Sequence, residues 1–324
     1  MSEETLQIGK EYPPAGEKEA IEKLQALHLK VHEGQATGPK LRGQHPKQHA
    51  GVWATFSVAR DIPNEMRVGI FAQPRSYTAL VRFSNGGPIE DTKPAVHAMA
   101  VKVLLPNGEG APPLPQDFIV ADCPVFFARS VQHMLEFVEG RIHGTLVPQN
   151  FPKLAGFSTV ATKSLLDMSY WSQTPYKLGD GAVKYLVRPL DNEQRPSIPL
   201  SASADFLREE LIEHLTHRKL GEHFEFCVIP QADASAMPVE DPTVEWTSAP
   251  VRLAILSIYP QKFDSPDQMG YFENLSWSPW NALLEHAPLG GINRARKFIY
   301  NDSSALRHNA TAQAPVNPTG RESF

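Results

Sequence analysis

Two histidines four residues apart, in the stretch RGQHPKQHAG at 42–51, are the first candidates for chemistry in this sequence. Imidazoles at positions i and i+4 can share a metal ion when they lie on one face of a helix. Pro46 disfavours helical geometry at His45, and strand residues four apart lie about 13 Å from each other. The spacing therefore argues against a shared zinc ion. It leaves His45 and His49 as separate groups for hydrogen bonding or acid/base work.

An arginine and a tyrosine near the end of the sequence form the second candidate pair. The segment INRARKFIYNDSSALRH at 292–308 follows the helix breaker PLGG and predicts a helix. Arg296 lies four residues before Tyr300, so both side chains are expected on one helix face. A phenol has a pKa of about 10, and a nearby cation favours the phenolate. The same spacing also occurs on ordinary surface helices, so the pair by itself does not indicate a functional role.

The composition limits the functions that such groups could serve. The chain has 324 residues, 41% of them hydrophobic and 21% charged, which is typical of a globular protein with a large core. The net charge is −5 and the basic residues form no tract, so a nucleic-acid partner is not expected. The only cysteines, Cys123 and Cys227, are too few for a disulfide framework or a cysteine-rich zinc site. The sequence leaves open whether the chain is a monomer or a homo-oligomer.

The ends of the sequence suggest one cytoplasmic domain. The first residues lack the order of a signal peptide, and no apolar run is long enough to cross a membrane. We expect a single domain over 1–324, with 1–16 and about 308–324 flexible.

The hydrophobic pattern predicts the elements that must position these groups. Residues 17–32 carry apolar side chains at three- and four-residue steps and predict a helix, as does ADFLREELIEHLTHRK at 204–219. Short runs rich in Val, Ile and Phe predict strands; they are VWATFSV, YTALVRFSN, HAMAVKVLL, DFIVADCPVFF, YKLGDGAVKYLVRP, HFEFCVIP and VRLAILSIYP. Many short strands with helices toward the ends predict an α+β fold with an antiparallel sheet or barrel.

Four motifs in this order resemble those of the haem catalase superfamily. They are Arg42-x-x-His45-x-Lys47, VRFSN, DFIVADCPVFF and Arg296-x-x-x-Tyr300. The similarity continues through SQTPYKLGDGAVKYLVRP, DPTVEWTSAPVRLAILSI and YFENLSWSPWNALLEHAPLGGINRAR, and it spans roughly residues 38–307. Within the superfamily the sequence resembles short catalase-related peroxidases and their hydroperoxide-isomerising relatives. The resemblance implies a catalase-like antiparallel β-barrel of about eight strands with flanking helices, holding haem b.

The resemblance also implies roles for the two candidate groups. Tyr300 would be the axial ligand of the iron, the ligand type known from catalase, and Arg296 the cation beside it. His45 would be the distal acid/base group, which takes the proton of a bound hydroperoxide and returns it to the departing oxygen. His49 matches no functional position and is expected to be structural.

Other residues match positions around the cofactor. Arg42 and Arg82 would pair with the haem propionates, for which guanidinium groups are well suited. Ser84 would face the distal pocket as a hydrogen-bond donor. If the strand continues through Phe126 and Phe127, the two rings point to opposite sides, and we expect Phe127 to pack on the porphyrin. No NADPH is expected.

Asp122 departs from the family pattern, which has an asparagine at this position. An ionised carboxylate only accepts hydrogen bonds and repels a developing peroxide anion, whereas a protonated one could donate. The sequence also ends about two dozen residues after Tyr300, without the additional parts of full-size catalases. Both observations predict an organic or fatty-acid hydroperoxide as substrate in preference to hydrogen peroxide. The neighbouring Cys123 is a weaker candidate for an iron ligand than Tyr300.

Three functions remain compatible with these residues. The first is a haem peroxidase that reduces a hydroperoxide to the alcohol and oxidises a small electron donor. The second is a redox-neutral isomerase or lyase of fatty-acid hydroperoxides. The third is a haem-binding protein without turnover. Product analysis separates the first two, because only the peroxidase needs a reductant.

Overall fold

The computed structural model describes residues 6–33, 42–87, 90–109, 111–157, 161–191, 197–311 and 314–324. The described strands are β1 (Lys47–Val58), β2 (Ser76–Asn85), β3 (His97–Leu105), β4 (Leu114–Ala121), β5 (Tyr170–Trp171), β6 (Tyr176–Leu178), β7 (Gly181–Pro189), β8 (Glu222–Pro230) and β9 (Val251–Ile258). The described α-helices are α1 (Glu17–Glu33), α2 (Val131–His143), α3 (Phe206–Ile212), α4 (Pro266–Asn274) and α5 (Gly291–Thr311).

Eight of these strands close into an antiparallel barrel. Their order is β5, β4, β3, β2, β1, β9, β8 and β7, and the pairing of β5 with β7 completes the ring. The remaining strand, β6, forms a hairpin with β7 through the two-residue turn that the GDG motif predicts. Closure removes the exposed edges that an open sheet would present. The predicted α+β fold with a barrel of about eight strands is confirmed.

Alternating apolar residues fill the barrel interior. Phe56, Phe118 and Phe226 come from β1, β4 and β8 and are fully buried there, with ring centroids 4.6 to 5.9 Å apart. Each ring buried in this way contributes about 1.5–3 kcal/mol to folding. The interior is thus a packed core, and any functional cavity must lie outside or at an end of the barrel.

Three helices pack together beside the barrel and fix the position of α5. Ile21 and Leu24 of α1 are buried against Val131 of α2 and Ala295 of α5. None of the helices in the described ranges has the length and apolar character that a bilayer span requires. The packing leaves another face of α5 directed at the barrel, where Arg296 and Tyr300 lie.

One predicted strand is shorter than its sequence suggests. DFIVADCPVFF alternates well as far as Ala121, but β4 ends there and the chain bends through Asp122. The amide of Asp122 donates to the carbonyl of His97, and that of Phe126 donates to the carbonyl of Pro242. Pro124 cannot donate to a strand ladder, which supports the early end. The expected alternation of Phe126 and Phe127 across a strand is therefore wrong.

A buried histidine far from these motifs makes the fold sensitive to acid. The Nε2 atom of His286 accepts a hydrogen bond from the Ile70 amide at 3.1 Å. Burial lowers the pKa of His286 from 6.5 to about 4. Between these values the unfolded chain binds a proton that the folded protein does not, so stability is complete above pH 6.5 and falls toward pH 4.

We expect this histidine to remove on the order of 3 kcal/mol of unfolding free energy across that pH range. Urea unfolding of the wild type and of His286→Gln at several pH values measures it. The glutamine can still accept from Ile70 but does not titrate, so the wild type should lose more stability than the variant on acidification. Parallel pH dependence of the two proteins would contradict the prediction.

Candidate active site

A cavity of about 710 Å³ lies between the outer face of the barrel and α5. The described residues that line it are His28, Arg42, Gly43, Gln44, His45, Arg82, Ser84, Ala98, Ala100, Ile119, Ser276, Trp277, Ile299, Tyr300, Ser303, Ser304 and Arg307. Five predicted site residues, Arg42, His45, Arg82, Ser84 and Tyr300, are therefore brought together.

The barrel wall of the cavity follows from strand alternation. Arg82 and Ser84 are two residues apart on β2 and lie opposite Ala100 and Ala98 of β3. Residues at this spacing point to the same face of a sheet, and the two alanines leave room above it. Ile119 of β4, opposite Ala100, extends the same face. The register of three strands thus creates a shallow apolar floor with two polar groups.

The opposite wall is one face of α5. Tyr300, Ser303, Ser304 and Arg307 occupy positions i, i+3, i+4 and i+7, which lie along one side of a helix. Arg296, one turn earlier, donates from Nη2 to the phenolic oxygen of Tyr300 at 3.0 Å. Its guanidinium carbon lies 5.1 Å from the centre of the tyrosine ring. The predicted contact between these two residues is present.

Further hydrogen bonds fix Arg296 in place. Its Nη1 donates to Asn293 Oδ1 at 3.0 Å and lies 3.5 Å from the hydroxyl of Tyr176. Burial opposes the charge of Arg296, but the phenolic groups of Tyr300 and Tyr176 outweigh it, and the pKa is raised. The guanidinium is therefore a permanent cation beside Tyr300. It favours the ionised form of a phenol, or a bond from its oxygen to a metal ion.

His45 is held in an uncommon backbone conformation at the edge of the cavity. Its φ is 50°, a left-handed value that is rare outside glycine but tolerated by histidine, and Arg82 Nη2 donates to its carbonyl at 3.0 Å. Its Nδ1 is buried and has no hydrogen-bond partner among the described residues. Burial and the nearby charge of Arg82 lower the pKa of His45 to about 4. The imidazole is neutral at pH 7 and can accept a proton.

His49, four residues later, has different surroundings. It lies at the irregularity of β1 between Gln48 and Ala50 and is fully buried. Its Nδ1 is 3.6 Å from Asp91 Oδ2. Because His45 lines the cavity and His49 faces a buried carboxylate, the two histidines have separate environments.

Three arginines gather around one carboxylate at the end of α4. Arg42 and Arg307 both donate to the carbonyls of Glu273 and Leu275, at 2.5 to 3.3 Å. Arg42 Nε and Arg82 Nη2 each lie 3.4 Å from a carboxylate oxygen of Glu273. Burial and their mutual repulsion lower the pKa of Arg82 to about 9 and that of Arg307 to about 10. All three remain cationic at pH 7.

This arginine cluster (Arg42, Arg82, Arg307) has an excess of positive charge. Three guanidinium groups face the single carboxylate of Glu273, which leaves two positive charges without a partner in the cluster. No carboxylate is among the described residues that line the cavity itself. An anion with two carboxylates would therefore be favoured here. Arg307 was not identified from the sequence; its position seven residues after Tyr300, two turns along the same face, is the signal that could have found it.

Asp122 and Phe127 do not line the cavity. Asp122 Oδ2 accepts from the backbone amide of His97 at 3.0 Å and lies 3.1 Å from His97 Nδ1. Phe127 packs on Phe126 and Phe137, with centroids 4.7 and 4.6 Å away. Asp122 is thus engaged by His97, a residue that the sequence did not indicate, while Phe127 belongs to an aromatic cluster.

Comparison with known proteins identifies the type of fold. No protein-family model matches the sequence, and no curated protein matches it. Among the solved structures that do match is one titled "Structure of a bacterial catalase", with a TM-score of 0.60 and 16% sequence identity. The match covers 98% of this chain and 67% of that one. At this identity the likeness concerns the architecture, and the protein therefore has a catalase-like fold.

Proposed function

We propose that this protein binds haem b in the cavity and reduces organic hydroperoxides, including those of fatty acids. One observation carries the proposal. The phenol of Tyr300, supported by Arg296, and the neutral imidazole of His45 line the same cavity. Hydroperoxide chemistry at a ferric haem uses an axial protein ligand, which can be a tyrosine, and a neutral acid/base group near the iron.

The side chains of the cavity fit the cofactor. The phenolic oxygen of Tyr300 is a hard anionic donor for ferric iron once it is ionised, and Arg296 is placed to favour that state. The arginine cluster carries two unbalanced positive charges, and haem b carries two propionates. Ala98 and Ala100 offer small side chains where a flat macrocycle would need space. We therefore assign Tyr300 as iron ligand and Arg42, Arg82 and Arg307 as propionate partners.

The cofactor and the protein would supply different parts of the chemistry. When bound, haem supplies an iron centre that binds a hydroperoxide oxygen and exchanges electrons. His45 accepts the proton of the incoming hydroperoxide and donates it to the oxygen that leaves as the alcohol. Neutral His45 is ready for the first step at pH 7, because burial and Arg82 hold its pKa at about 4. Arg296 places a positive charge beside the oxygen of Tyr300 and donates a hydrogen bond to it.

The surroundings of Asp122 favour an organic hydroperoxide over hydrogen peroxide as the substrate. The His97 amide donates to Oδ2 of Asp122, and His97 Nδ1 lies 3.1 Å from the same oxygen, so this oxygen serves as an acceptor outside the cavity. An oxygen engaged in this way cannot donate a hydrogen bond to a bound peroxide as an amide would. Dismutation of hydrogen peroxide, which needs tight binding of two small peroxide molecules in turn, is therefore disfavoured relative to reduction of an alkyl hydroperoxide.

The test begins with the protein expressed under haem feeding. We expect stoichiometric haem with a high-spin ferric spectrum of the tyrosinate type. Cumene hydroperoxide and a phenolic donor should then give cumyl alcohol and oxidised donor in equal amounts. A protein that remains without haem after feeding and after hemin titration would refute the proposal. Rearranged fatty-acid products formed without reductant would instead identify a redox-neutral isomerase.

A further inference from the structure

Gln48 lies at the start of β1, on the face of the barrel that forms the cavity floor. It is opposite Ser84 of β2, and the register of the two strands shifts just after it. Directly opposed side chains lie on one face of a sheet, about 5 Å apart. Ser84 and Arg82 both line the cavity, and Gln48 contacts Arg82 directly. Gln48 is itself buried, so it acts on the cavity only through its neighbours.

The side-chain amide of Gln48 is held at both of its ends. Its Oε1 accepts a hydrogen bond from Arg82 Nε at 3.0 Å, and its Nε2 donates to the carbonyl of Met269 in α4 at 3.1 Å. Its backbone carbonyl accepts from Arg208 Nη2 of α3 at 2.6 Å. The oxygen must face a donor and the nitrogen an acceptor, so the amide has one orientation. Gln48 therefore presents a fixed acceptor to Arg82.

Arg82 carries this constraint to His45. The guanidinium group is planar, so a partner that fixes Nε also fixes the direction of the Nη atoms. Nη2 of Arg82 donates to the carbonyl of His45 at 3.0 Å and lies 3.4 Å from Glu273 Oε2. The φ of His45 is 50°, a conformation that persists only when the surrounding structure holds it. Gln48 and the backbone of His45 are thus joined through a single buried side chain.

The charge of Arg82 also acts on the imidazole. Burial is the main cause of the lowered pKa of His45, and Arg82 is the charged group that contributes most to it. His97 of β3 and Arg296 of α5 lower the pKa further, whereas Asp122 raises it. The other charged or titratable groups that line the described cavity are His28, Arg42, Tyr300 and Arg307. The position of Arg82 therefore affects both the place and the proton affinity of His45.

We propose that Gln48 is a positioning residue for His45, which it holds in place through Arg82. The inference rests on the proposed function, because it takes His45 as the group that moves the proton. The competing role is purely structural, in which the bond from Gln48 to Met269 attaches α4 to the barrel. The two roles use opposite ends of the same amide, so substitutions of Gln48 separate them.

Two variants of the haem-loaded protein distinguish the ends of the amide. Gln48→Glu keeps an acceptor for Arg82 but loses the donor to Met269, whereas Gln48→Met loses both. At pH 7, with cumene hydroperoxide and a phenolic donor, we expect kcat per haem to fall about tenfold in Gln48→Met and to stay within about twofold of the wild type in Gln48→Glu. Equal losses in the two variants, or wild-type kcat in Gln48→Met, would overturn the proposal.

The carboxylate introduced by Gln48→Glu also changes the charge near His45. Beside the guanidinium of Arg82 it stays ionised, and it offsets the positive charge that lowers the pKa of His45. That pKa should rise by about one pH unit, and the acid limb of kcat/KM should move upward with it. ¹⁵N-histidine NMR of the apoprotein measures the pKa, with the His45 resonances assigned by their absence in His45→Asn. An unchanged pKa and an unchanged acid limb would contradict the proposal.

Gln268 of α4 provides the matched control. It is buried, and its Nε2 donates to the carbonyl of Gly51 on β1 at 2.9 Å. Gln268→Glu removes the same kind of bond between α4 and β1, at a residue whose described contacts do not include Arg82. We expect kcat at pH 7 and the pKa of His45 to keep their wild-type values. Changes as large as those in the Gln48 variants would attribute the effects to the docking of α4 and refute the positioning role.

The NMR titration needs no haem, so it separates this inference from the proposed function. A raised pKa of His45 in Gln48→Glu supports the link through Arg82 even if the protein binds no haem, in which case only the proposed function fails. Haem binding and peroxidase turnover that are the same in the wild type and both Gln48 variants, with one pKa for His45, would refute the positioning role and leave the proposed function standing.

Discussion

His45→Ala is expected to retain haem but to lose about 10²- to 10⁴-fold in hydroperoxide turnover. The imidazole is the neutral base of the cavity, with burial and Arg82 holding its pKa at about 4. In the proposed mechanism, the group that takes the proton from the hydroperoxide and returns it to the leaving oxygen is then missing. The measurement is kcat/KM for cumene hydroperoxide with a phenolic donor, normalised to haem content.

The left-handed backbone conformation of His45 makes a second variant necessary. Alanine is strained at a φ of 50°, whereas asparagine adopts this conformation readily. His45→Asn should therefore fold at least as well as His45→Ala and be equally inactive. His223→Ala is the control, because that histidine lies on β8 and its Nδ1 contacts Ser257. Wild-type turnover in both His45 variants would remove His45 from the mechanism.

Tyr300→Phe is expected to abolish stable haem binding. The substitution deletes the oxygen to which Arg296 donates at 3.0 Å but keeps the ring over the guanidinium. Loss of an outer partner of a metal ligand already costs about 10- to 100-fold in affinity, and loss of the ligand itself should cost more. Hemin titration of the apoprotein, followed by gel filtration, measures the retained fraction.

A matched control exists in the same protein. Tyr185 is fully buried in the barrel core, and its hydroxyl has no partner among the described residues. Tyr185→Phe removes the same atom away from the cavity and should leave the hemin affinity unchanged. If Tyr300→Phe binds hemin as tightly as the wild type, with the same spectrum, another residue must ligate the iron and the assignment is wrong.

Local spacing was a reliable guide to parts of the site. Four residues separate Arg296 from Tyr300, and the predicted helix brings their side chains together because its period is 3.6 residues. Arg82 and Ser84, two residues apart in VRFSN, lie on one face of β2 because side chains alternate along a strand. Pro46 argued against a helix at His45, and β1 begins at Lys47. In these cases the relevant contact lies within one element.

Contacts between distant parts of the sequence could not be predicted in this way. Arg307 resembles any solvated arginine on a polar helix until the C-terminal carbonyls of α4 are placed against it. The pairing of Asp122 with His97 joins residues 25 positions apart and depends on where β4 ends. The apolar pattern of the segment that contains β4 extends to Phe127. The strand nevertheless ends at Ala121, because the amides of Asp122 and Phe126 donate to the carbonyls of His97 and Pro242.

Hydrophobic period and helical spacing are local properties, so the sequence alone indicated most helices and strands and the chemically able groups, while the resemblance of its motifs to catalases implied the type of barrel. How those groups are charged and paired follows from the tertiary structure. It lowered the pKa of His45 by burial, gathered three arginines around Glu273, and turned Asp122 from the cavity toward His97. Burial and charge proximity depend on strand register and helix docking, which no stretch of the chain specifies alone.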